Sequence, residues 1–471
     1  HSSRDSMIIL VSSKISQTDI HVSLGKPEYS YFFLMKEFLP ALEQIGEVIA
    51  VNDADEVIAL TASYRAEGKA VVFLSFSPPH QAPLDLPCPT VAVFAWEFDS
   101  LPSISADEAA QAAPGDWHSN PRNDWRHVFA RVAGTIATSC EAAALVERCG
   151  DGRFPVIALP APIWARYDGV CPEQGWPLEV GRRSFPFAGQ VIDSRTLKLD
   201  PESVAHRPYS EAKRISKAML QGWWHEVRLP KAQAAVVKVE ELPPTARPIE
   251  VDGIVYTSVL NPADGRKNWV DLLSAFCWAF RDVENATLVL KMTHNDMDLY
   301  RGTLLNLLAR LSPFRCRVLV LHGFLEDPQY LQLIKASSYY VNASSGEGLC
   351  IPLMEFLCCG KPAIAPPHTA MADYLSSDFA FLVGSCLQLT DWPHDPSGMQ
   401  QTHSHRLNWE SLMQSYRASY AVASEALRYQ ALSRQAREHM RNFCSLQRVS
   451  GELGPFLQRA AASSASGELQ G

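Results

Sequence analysis

The stretch SSGEGLCIPLMEFLCCGKPAIAP, residues 344–366, carries the strongest structural signal in the sequence. Gly346 and Gly348 permit a tight turn after a strand, and Pro352 suits the first turn of a helix, where its missing N–H costs nothing. Gly360 is placed to cap that helix before the next strand. The stretch therefore predicts a strand, a turn, a short helix and a strand, the repeating unit of a parallel α/β sheet.

The same alternation of apolar runs and helix-length segments extends in both directions from this stretch. The C-terminal runs are GIVYTSVL, ATLVLKM, RCRVLVLHG, SYYVNAS, PAIAP and AFLVG. The N-terminal runs are MIILVSS, EVIAVN, AVVFLSF, TVAVFAW, GTIATS and FPVIALP. Continuous apolar strands indicate parallel sheets covered on both faces. We predict an α/β fold with two Rossmann-like doubly wound domains that face a central cleft, where such sheets bind ligands.

The predicted domains follow these two series. Their bounds are 7–165 for the N-terminal domain, 166–250 for an insertion or linker, 251–395 for the C-terminal domain and 396–471 for a helical segment with a mobile tail. The linker is rich in proline and has one helical stretch around 210–227. In the last segment, the helical pattern runs from 408 to about 448 and small residues follow.

Composition excludes several classes of protein. Apolar residues make up 47% and charged residues 20% of the 471 residues, as in soluble globular proteins. The net charge of −9 argues against bulk attraction to nucleic acid. No apolar run approaches the ~20 residues that cross a bilayer, so we expect a cytoplasmic protein. The eleven cysteines include no CxxC pair, which argues against a zinc ribbon or a disulfide framework.

Within residues 344–366, Glu347 and Glu355 are the candidate ligand-binding residues. The predicted turn places Glu347 at the cleft, and the predicted helix places Glu355 about one turn in. A carboxylate can accept two hydrogen bonds from the vicinal hydroxyls of a sugar or ribose. The N-terminus of the same helix is suited to a diphosphate. The alternative is an ordinary turn residue and a solvated helix residue.

These residues resemble the paired-glutamate motif of glycosyltransferase family 4, retaining enzymes with the GT-B fold of two Rossmann-like domains. Seven residues separate the two glutamates, and GKPAIAP matches the family's helix end and strand. The resemblance implies that Glu347 contacts the transferred sugar and that Glu355 contacts the nucleotide ribose. It also implies that backbone groups at Gly348 and Leu349 lie beside the sugar and diphosphate.

A second matching piece is NPADGRKNWVDLLSAF, residues 261–276. Lys267 stands where the family has a phosphate-binding lysine, and the guanidinium of Arg266 also suits phosphate oxygens. Both would neutralise charge on the leaving nucleoside diphosphate. Family members commonly carry an arginine about five residues earlier, where this chain has Pro262, so whether Arg266 replaces it stays open. A solvated basic pair is the alternative.

Weaker matches complete the predicted site. LHGFLEDPQYLQLIKASSYYVNAS resembles the family's loop against the nucleotide base, which implicates Gly323, Phe324 and Leu325. Gly25 follows the first strand, where relatives have a glycine-rich turn. Glu97 replaces a histidine of many relatives and is our acceptor-side candidate, although it is equally consistent with a turn or helix-start acid.

Other patterns carry weaker alternatives. Asp53 and Asp55 have the spacing of the metal-binding pair of the other nucleotide-sugar fold, GT-A. A histidine cluster in a loop suggests a zinc set of His394, Asp395, His403 and His405. The segment PPHTAMADYL falls where relatives have a glycine pair followed by a glutamate, and Asp373 could take the place of that glutamate. Five arginines between 428 and 448 suit an anionic membrane, but GT-B relatives pack this helix across both domains.

The resemblance implies a retaining, metal-independent glycosyltransferase of the hexosyltransferase class, with no cofactor. The donor would be a UDP- or GDP-linked sugar and the acceptor a glycan or lipid-linked glycan of bacterial polysaccharide biosynthesis. Nucleic acid is not an expected partner, and peripheral contact with the inner face of the membrane stays open. A nucleotide-sugar epimerase of similar fold and a non-catalytic glycan- or nucleotide-binding subunit are the alternatives.

Overall fold

The computed structural model describes residues 7–13, 27–197, 216, 219–220, 245–293, 297–392 and 401–463. Four sequence predictions lie wholly or mostly outside this part of the chain: Gly25, the helical stretch 210–227, and the loop residues His394 and Asp395.

Six parallel strands form the N-terminal sheet, and they are the six predicted apolar runs. They are β1 (Met7–Ser12), β2 (Gly46–Ala50), β3 (Val71–Phe76), β4 (Thr90–Phe94), β5 (Gly134–Ala137) and β6 (Val156–Ala158), in spatial order β2-β1-β3-β4-β5-β6. The helices are α1 (Pro27–Ile45), α2 (Ala54–Ala66), α3 (Ala106–Gln111), α4 (Trp125–Arg131), α5 (Cys140–Cys149) and α6 (Trp164–Tyr167). Every residue of β3 and β4 is buried, because helices cover both faces of the sheet.

The described part of the linker segment contributes to three strands that the sequence did not predict. They are β7 (Arg183–Phe187), β8 (Gln190–Asp193) and β9 (Arg247–Val251). Strand β7 pairs with β9, and Pro186 lies opposite Pro248 in that pair. Proline donates no ladder hydrogen bond and reads as a strand breaker, so this edge ribbon gave no strand signal.

The C-terminal sheet has seven strands, six of them the predicted parallel runs. Those six are β10 (Ile254–Leu260), β11 (Ala286–Met292), β12 (Arg317–His322), β13 (Tyr339–Val341), β14 (Ala363–Ala365) and β15 (Ala380–Leu382). The spatial order is β15-β14-β13-β10-β11-β12-β8, and β8 is antiparallel to β12. The helices are α7 (Trp269–Ala279), α8 (Asp298–Leu311), α9 (Asp327–Ala336) and α10 (Ile351–Cys358).

The C-terminal segment differs from its prediction in two ways. Strand β17 (Gln401–Leu407), which pairs with β16 (Ser385–Asp391) in a hairpin, stands where a histidine-bearing loop was expected, so His403 and His405 lie on a strand. The single helical pattern is three helices: α11 (Trp409–Val422), α12 (Ala426–Phe443) and α13 (Leu446–Ser463). The last helix therefore includes the start of the predicted tail.

The C-terminal helices pack back across both domains, as expected of the GT-B fold. In α12, the guanidinium carbon of Arg437 lies 5.7 Å from the ring centroid of Trp164 in α6. In α13, Phe456 and Leu457 are buried in one apolar cluster with Phe38 of α1. A methyl group at Gly134 of β5 would lie 2.8 Å from the Phe456 ring, so glycine lets this helix approach. Among the described helices none has the length and apolar character needed to cross a membrane.

Candidate functional site

Two loops of the C-terminal domain meet at the carboxyl edge of its sheet. One follows β10 and carries Arg266 and Lys267; the other follows β13 and carries Glu347. The N–H of Ser345 donates to the carbonyl of Arg266 at 2.9 Å, which ties the loops together. The end of β4 in the N-terminal domain faces both loops. The candidate site is therefore in the cleft between the domains, where parallel sheets bind ligands.

Lys267 and Glu347 form a buried ion pair at this edge. The Lys267 Nζ lies 2.8 Å from each carboxylate oxygen of Glu347, and the Asn342 amide donates to one of them at 3.0 Å. The Glu347 side chain is only 4% exposed. Burial is the largest influence on Lys267 and lowers its pKa, but the attraction of Glu347, with smaller contributions from Cys350 and Asp264, leaves the pKa raised. The Lys267 ammonium is thus held against a buried carboxylate at the edge of the cleft.

Arg266 is engaged by carboxylates of both domains. It contacts Glu97, which follows β4, and it binds Asp264 at 2.7 Å. Burial opposes the charge of Arg266, but Glu97 and Asp264 outweigh it and raise its pKa. Burial also raises the pKa of Glu97, against the attraction of Arg266. The structure thus brings Glu97, Arg266, Lys267 and Glu347 together.

The two glycines beside Glu347 are required by close packing rather than by a left-handed backbone. A methyl group at Gly346 would lie 2.8 Å from the carbonyl oxygen of Glu97, and one at Gly348 would lie 2.7 Å from the Ala95 Cβ. Neither glycine has a positive φ. The N-terminal domain therefore presses directly on this turn, which corrects the reason that the sequence suggested for its glycines.

Backbone strain is concentrated around the same ion pair. Asn268, Cys350 and Thr369 have φ values of 53°, 63° and 53°, in the left-handed region that non-glycine residues rarely adopt. Asn268 follows Lys267, and the Thr369 hydroxyl accepts a hydrogen bond from the Glu347 N–H at 2.9 Å. Such conformations cost about 1–3 kcal/mol each and cluster at ligand and active sites.

The Glu355 carboxylate is contacted by tyrosine hydroxyls rather than by a lysine ammonium. It is the fifth residue of α10, as the sequence predicted, and its carboxylate accepts hydrogen bonds from the hydroxyls of Tyr167 and Tyr330. Arg166 lies 3.8 Å from it and also contacts Glu37 of α1. Burial, opposed by the Tyr167 hydrogen bond, raises the pKa of Glu355 to about 7. A segment at the end of the N-terminal domain thus covers this carboxylate.

The remaining predicted donor residues lie in the loop after β12 and directly before α10. Gly323 follows β12, and a methyl group there would lie 2.9 Å from the Ala188 carbonyl oxygen, so the β7–β8 turn packs against this loop. Phe324 is 41% exposed, whereas Leu325 is buried. The carbonyl of Leu349, which is also buried, accepts a hydrogen bond from the Tyr374 hydroxyl at 2.7 Å.

The alternative metal and acid residues have structural roles. Asp53 is the N-cap of α2 and accepts from the Glu56 N–H at 2.8 Å, while Asp55 lies in the first turn of that helix. Asp373 accepts from the N–H of Cys140, the first residue of α5, at 2.9 Å. Among the described residues, no group of three or more histidines, cysteines or acids is arranged to hold a metal ion.

One cationic residue at the carboxyl edge of the C-terminal sheet was not predicted as a site residue from the sequence. Lys291 is the last residue but one of β11 and is 4% exposed. Its signal was present, because it is the only charged residue in the run ATLVLKM, but that run read simply as a buried strand. Burial lowers the pKa of Lys291 to about 8.

Comparisons with known proteins bear on the fold. No protein-family model matches the chain, and no curated protein matches it. It is similar in structure to sucrose-phosphate synthase from Thermosynechococcus elongatus, with a TM-score of 0.50, 14% identity and coverage of 97% of this chain and 100% of that one. It is also similar to HepE from Anabaena in complex with UDP, with a TM-score of 0.49, 12% identity and coverage of 96% and 99%. At such identity the likeness to the synthase shows a shared fold alone. The predicted fold class, GT-B with two Rossmann-like domains and C-terminal helices, is confirmed.

Proposed function

We propose that this protein is a retaining glycosyltransferase of family 4. It would move a hexosyl group from a UDP- or GDP-linked sugar to a glycan or lipid-linked acceptor in bacterial polysaccharide synthesis. The observation that carries the proposal is the buried Lys267–Glu347 ion pair between the carboxyl edge of the C-terminal sheet and the N-terminal domain. Glu355, on the helix that follows, supplies the second carboxylate of the motif.

The ion pair suits an exchange of partners on donor binding. The diphosphate of the donor would take over the Lys267 ammonium, and the Glu347 carboxylate would then accept hydrogen bonds from hydroxyls of the transferred sugar. The cation neutralises charge on the leaving diphosphate, and the carboxylate stabilises positive charge that develops on the ring. Both groups are held in place before the reaction by Asn342 and the strained turns, which lowers the cost of positioning them.

The chemical step in this proposal needs no nucleophile from the protein. The bond between the sugar C1 and the phosphate oxygen breaks, and the acceptor oxygen bonds to C1 on the same face. The proton of the acceptor hydroxyl passes to the departing phosphate oxygen, so the sugar keeps its anomeric configuration. Glu97 would lie on the acceptor side, because it comes from the N-terminal domain and contacts Arg266 across the cleft.

A non-catalytic nucleotide- or glycan-binding subunit is the second candidate. This candidate is favoured by the contacts of Glu355. Tyr167, Tyr330 and Arg166 already contact its carboxylate, the group proposed to bind the ribose. Such a subunit would bind a nucleotide or glycan without making a glycosidic bond.

Binding and product analysis together separate these functions. Thermal unfolding is measured with UDP-, GDP- and ADP-sugars, and one nucleotide series should stabilise the protein by about 2.7 kcal/mol at 100 times its Kd. The products formed with that donor and a bacterial glycan extract are then analysed by NMR. A new glycosidic bond with the donor's anomeric configuration supports the transferase. An epimerised donor, or binding without any new bond, contradicts it.

A further inference from the structure

The cations predicted to bind the diphosphate are already neutralised in the cleft. Arg266 and Lys267 carry two positive charges, and they contact three carboxylates, those of Glu97, Asp264 and Glu347. With all five ionised, this cluster has a net charge of 2 − 3, or −1. A nucleoside diphosphate adds more negative charge, so a favourable site needs a further cation.

Lys291 lies at the same edge of the same sheet. In the sheet it is in register with Val259 of β10 on one side and Leu321 of β12 on the other. The loop after β10 carries Arg266 and Lys267, and the loop after β12 is the one predicted to contact the nucleotide base. The lysine is therefore on the strand between the two loops proposed to hold the donor.

Strand alternation assigns the Lys291 side chain to one face of the sheet. Leu290 and Met292 pack in the core that includes α7. Val289, two residues before Lys291, packs in the core on the other face of the sheet, with Leu325 of the loop after β12 and with residues of α9. Since side chains two residues apart share a face, Lys291 lies on the side of Leu325 and α9.

The Lys291 ammonium has no protein partner in the described part of the chain. Within residues 7–13, 27–197, 245–293, 297–392 and 401–463, no hydrogen bond or ion pair involves its ammonium, which has three donors. Burying a charge without a partner is strongly unfavourable.

Among the described lysines, Lys361 is the other one buried to the same degree, and its contacts compensate the burial. It is 5% exposed, its Nζ donates to the Lys335 carbonyl at the end of α9 at 3.2 Å, and it lies 4.8 Å from the ring centroid of Trp176. A helix end and an aromatic face both stabilise a cation. The structure accounts for the burial of Lys361 by contacts within the fold, and it offers no such account for Lys291.

We propose that Lys291 binds the diphosphate of the nucleotide-sugar donor and supplies the cation that the Arg266–Lys267 cluster lacks. This inference rests on the proposed function. A lysine kept buried without a partner in the free protein would gain its partner when the donor binds.

Lys291→Met tests the proposal, because methionine keeps an unbranched side chain and removes the charge. We expect the variant to unfold at a higher temperature than the wild type while its affinity for UDP or GDP, whichever the wild type binds, falls about 10- to 100-fold in calorimetry. The loss should be larger for the nucleoside diphosphate than for the monophosphate. Lys361→Met is the matched control: it should unfold at a lower temperature and bind the nucleotide as the wild type does.

The outcomes separate this inference from the proposed function. If the wild type binds a nucleoside diphosphate and folded Lys291→Met binds it equally well, the lysine is not a diphosphate ligand and the proposed function stands. If Lys291→Met does not fold, Lys291→Leu replaces it, and failure of both overturns the proposal by showing that the lysine serves the fold. If the wild type binds none of the nucleotides, the proposed function fails, and this inference fails with it.

Discussion

The turn that carries Glu347 and the helix that carries Glu355 place two glutamates in opposite surroundings. Glu347 is held by an ammonium and an amide, and two carboxylates and a guanidinium lie beyond them. Glu355 is held mainly by two phenol hydroxyls, and burial raises its pKa to about 7. A fixed spacing thus predicts where each carboxylate lies on the backbone, but the partners from other elements decide its charge and its chemistry.

The two regions also differ in how they join the domains. Near Glu347 the contact is an ion pair, Arg266 with Glu97, together with glycines pressed against the end of β4. At Glu355 the contact comes from Arg166 and Tyr167 of α6, where the chain leaves the N-terminal domain. If Glu355 binds the donor ribose, α6 must withdraw first, so donor entry should be coupled to opening of the cleft.

The largest expected effect comes from removing the positive charge of Lys267, the partner of Glu347. Lys267→Met should lower the transfer rate about 100- to 1,000-fold, because charge on the leaving diphosphate loses its nearest compensating group. The measurement is kcat with the donor found in the nucleotide screen. Lys69→Met, at a surface ion pair, is the control. A Lys267→Met enzyme that transfers at the wild-type rate would show that the ion pair serves only the fold.

The free energy of unfolding should depend on pH through the titration of Glu355. The folded protein holds a proton on Glu355 up to a pKa of about 7, whereas the ordinary value is 4.5. The folded state therefore binds more protons between these values, and the free energy of unfolding should fall as pH rises from 4.5 to 7, by at most about 3 kcal/mol. Urea unfolding of the wild type and Glu355→Gln at several pH values measures this. An equally steep fall in Glu355→Gln would assign the dependence to other groups.

A smaller effect is expected from uncovering Glu355. Tyr167→Phe removes the hydroxyl that competes with a ribose for the carboxylate, so nucleotide affinity should rise about 2- to 10-fold. Calorimetry with the nucleoside diphosphate measures it. Tyr64→Phe also removes a hydroxyl of the N-terminal domain, but one on α2, where the Tyr64 ring lies 5.4 Å from the Lys69 ammonium, and should leave affinity unchanged. Weaker binding by Tyr167→Phe would make that hydroxyl part of the nucleotide site.

The smallest effect is expected from chelation. The diphosphate charge is assigned to cationic side chains and to the N-terminus of α10, so EDTA should leave the transfer rate within about twofold of its starting value. Loss of transfer in EDTA that Mn²⁺ or Mg²⁺ restores would contradict this assignment.

The apolar runs of the sequence predicted most of the strands of the fold, but the sequence predicted fewer of the contacts in the candidate site. All six runs of each domain are strands, since buried parallel strands are continuous in sequence. The β7–β9 ribbon was hidden by its opposed prolines. The approach of Lys267 to Glu347 follows from the order of parallel strands, but the contacts of Glu97 with Arg266 and of Tyr167 with Glu355 join the two domains. No local pattern encodes such contacts.

The central claim is that Glu347 serves the transferred sugar and Glu355 the nucleotide. Its most direct test is a paired measurement of nucleotide affinity and kcat in Glu347→Gln and Glu355→Gln, each shown to be folded. We predict that Glu347→Gln binds nucleoside diphosphate nearly as the wild type does but loses kcat, as expected for an interaction made mainly in the transition state. Glu355→Gln should instead lose affinity for the nucleotide itself, by about 10-fold or more. Wild-type kcat in Glu347→Gln, with wild-type affinity in Glu355→Gln, would contradict the assignment of both residues.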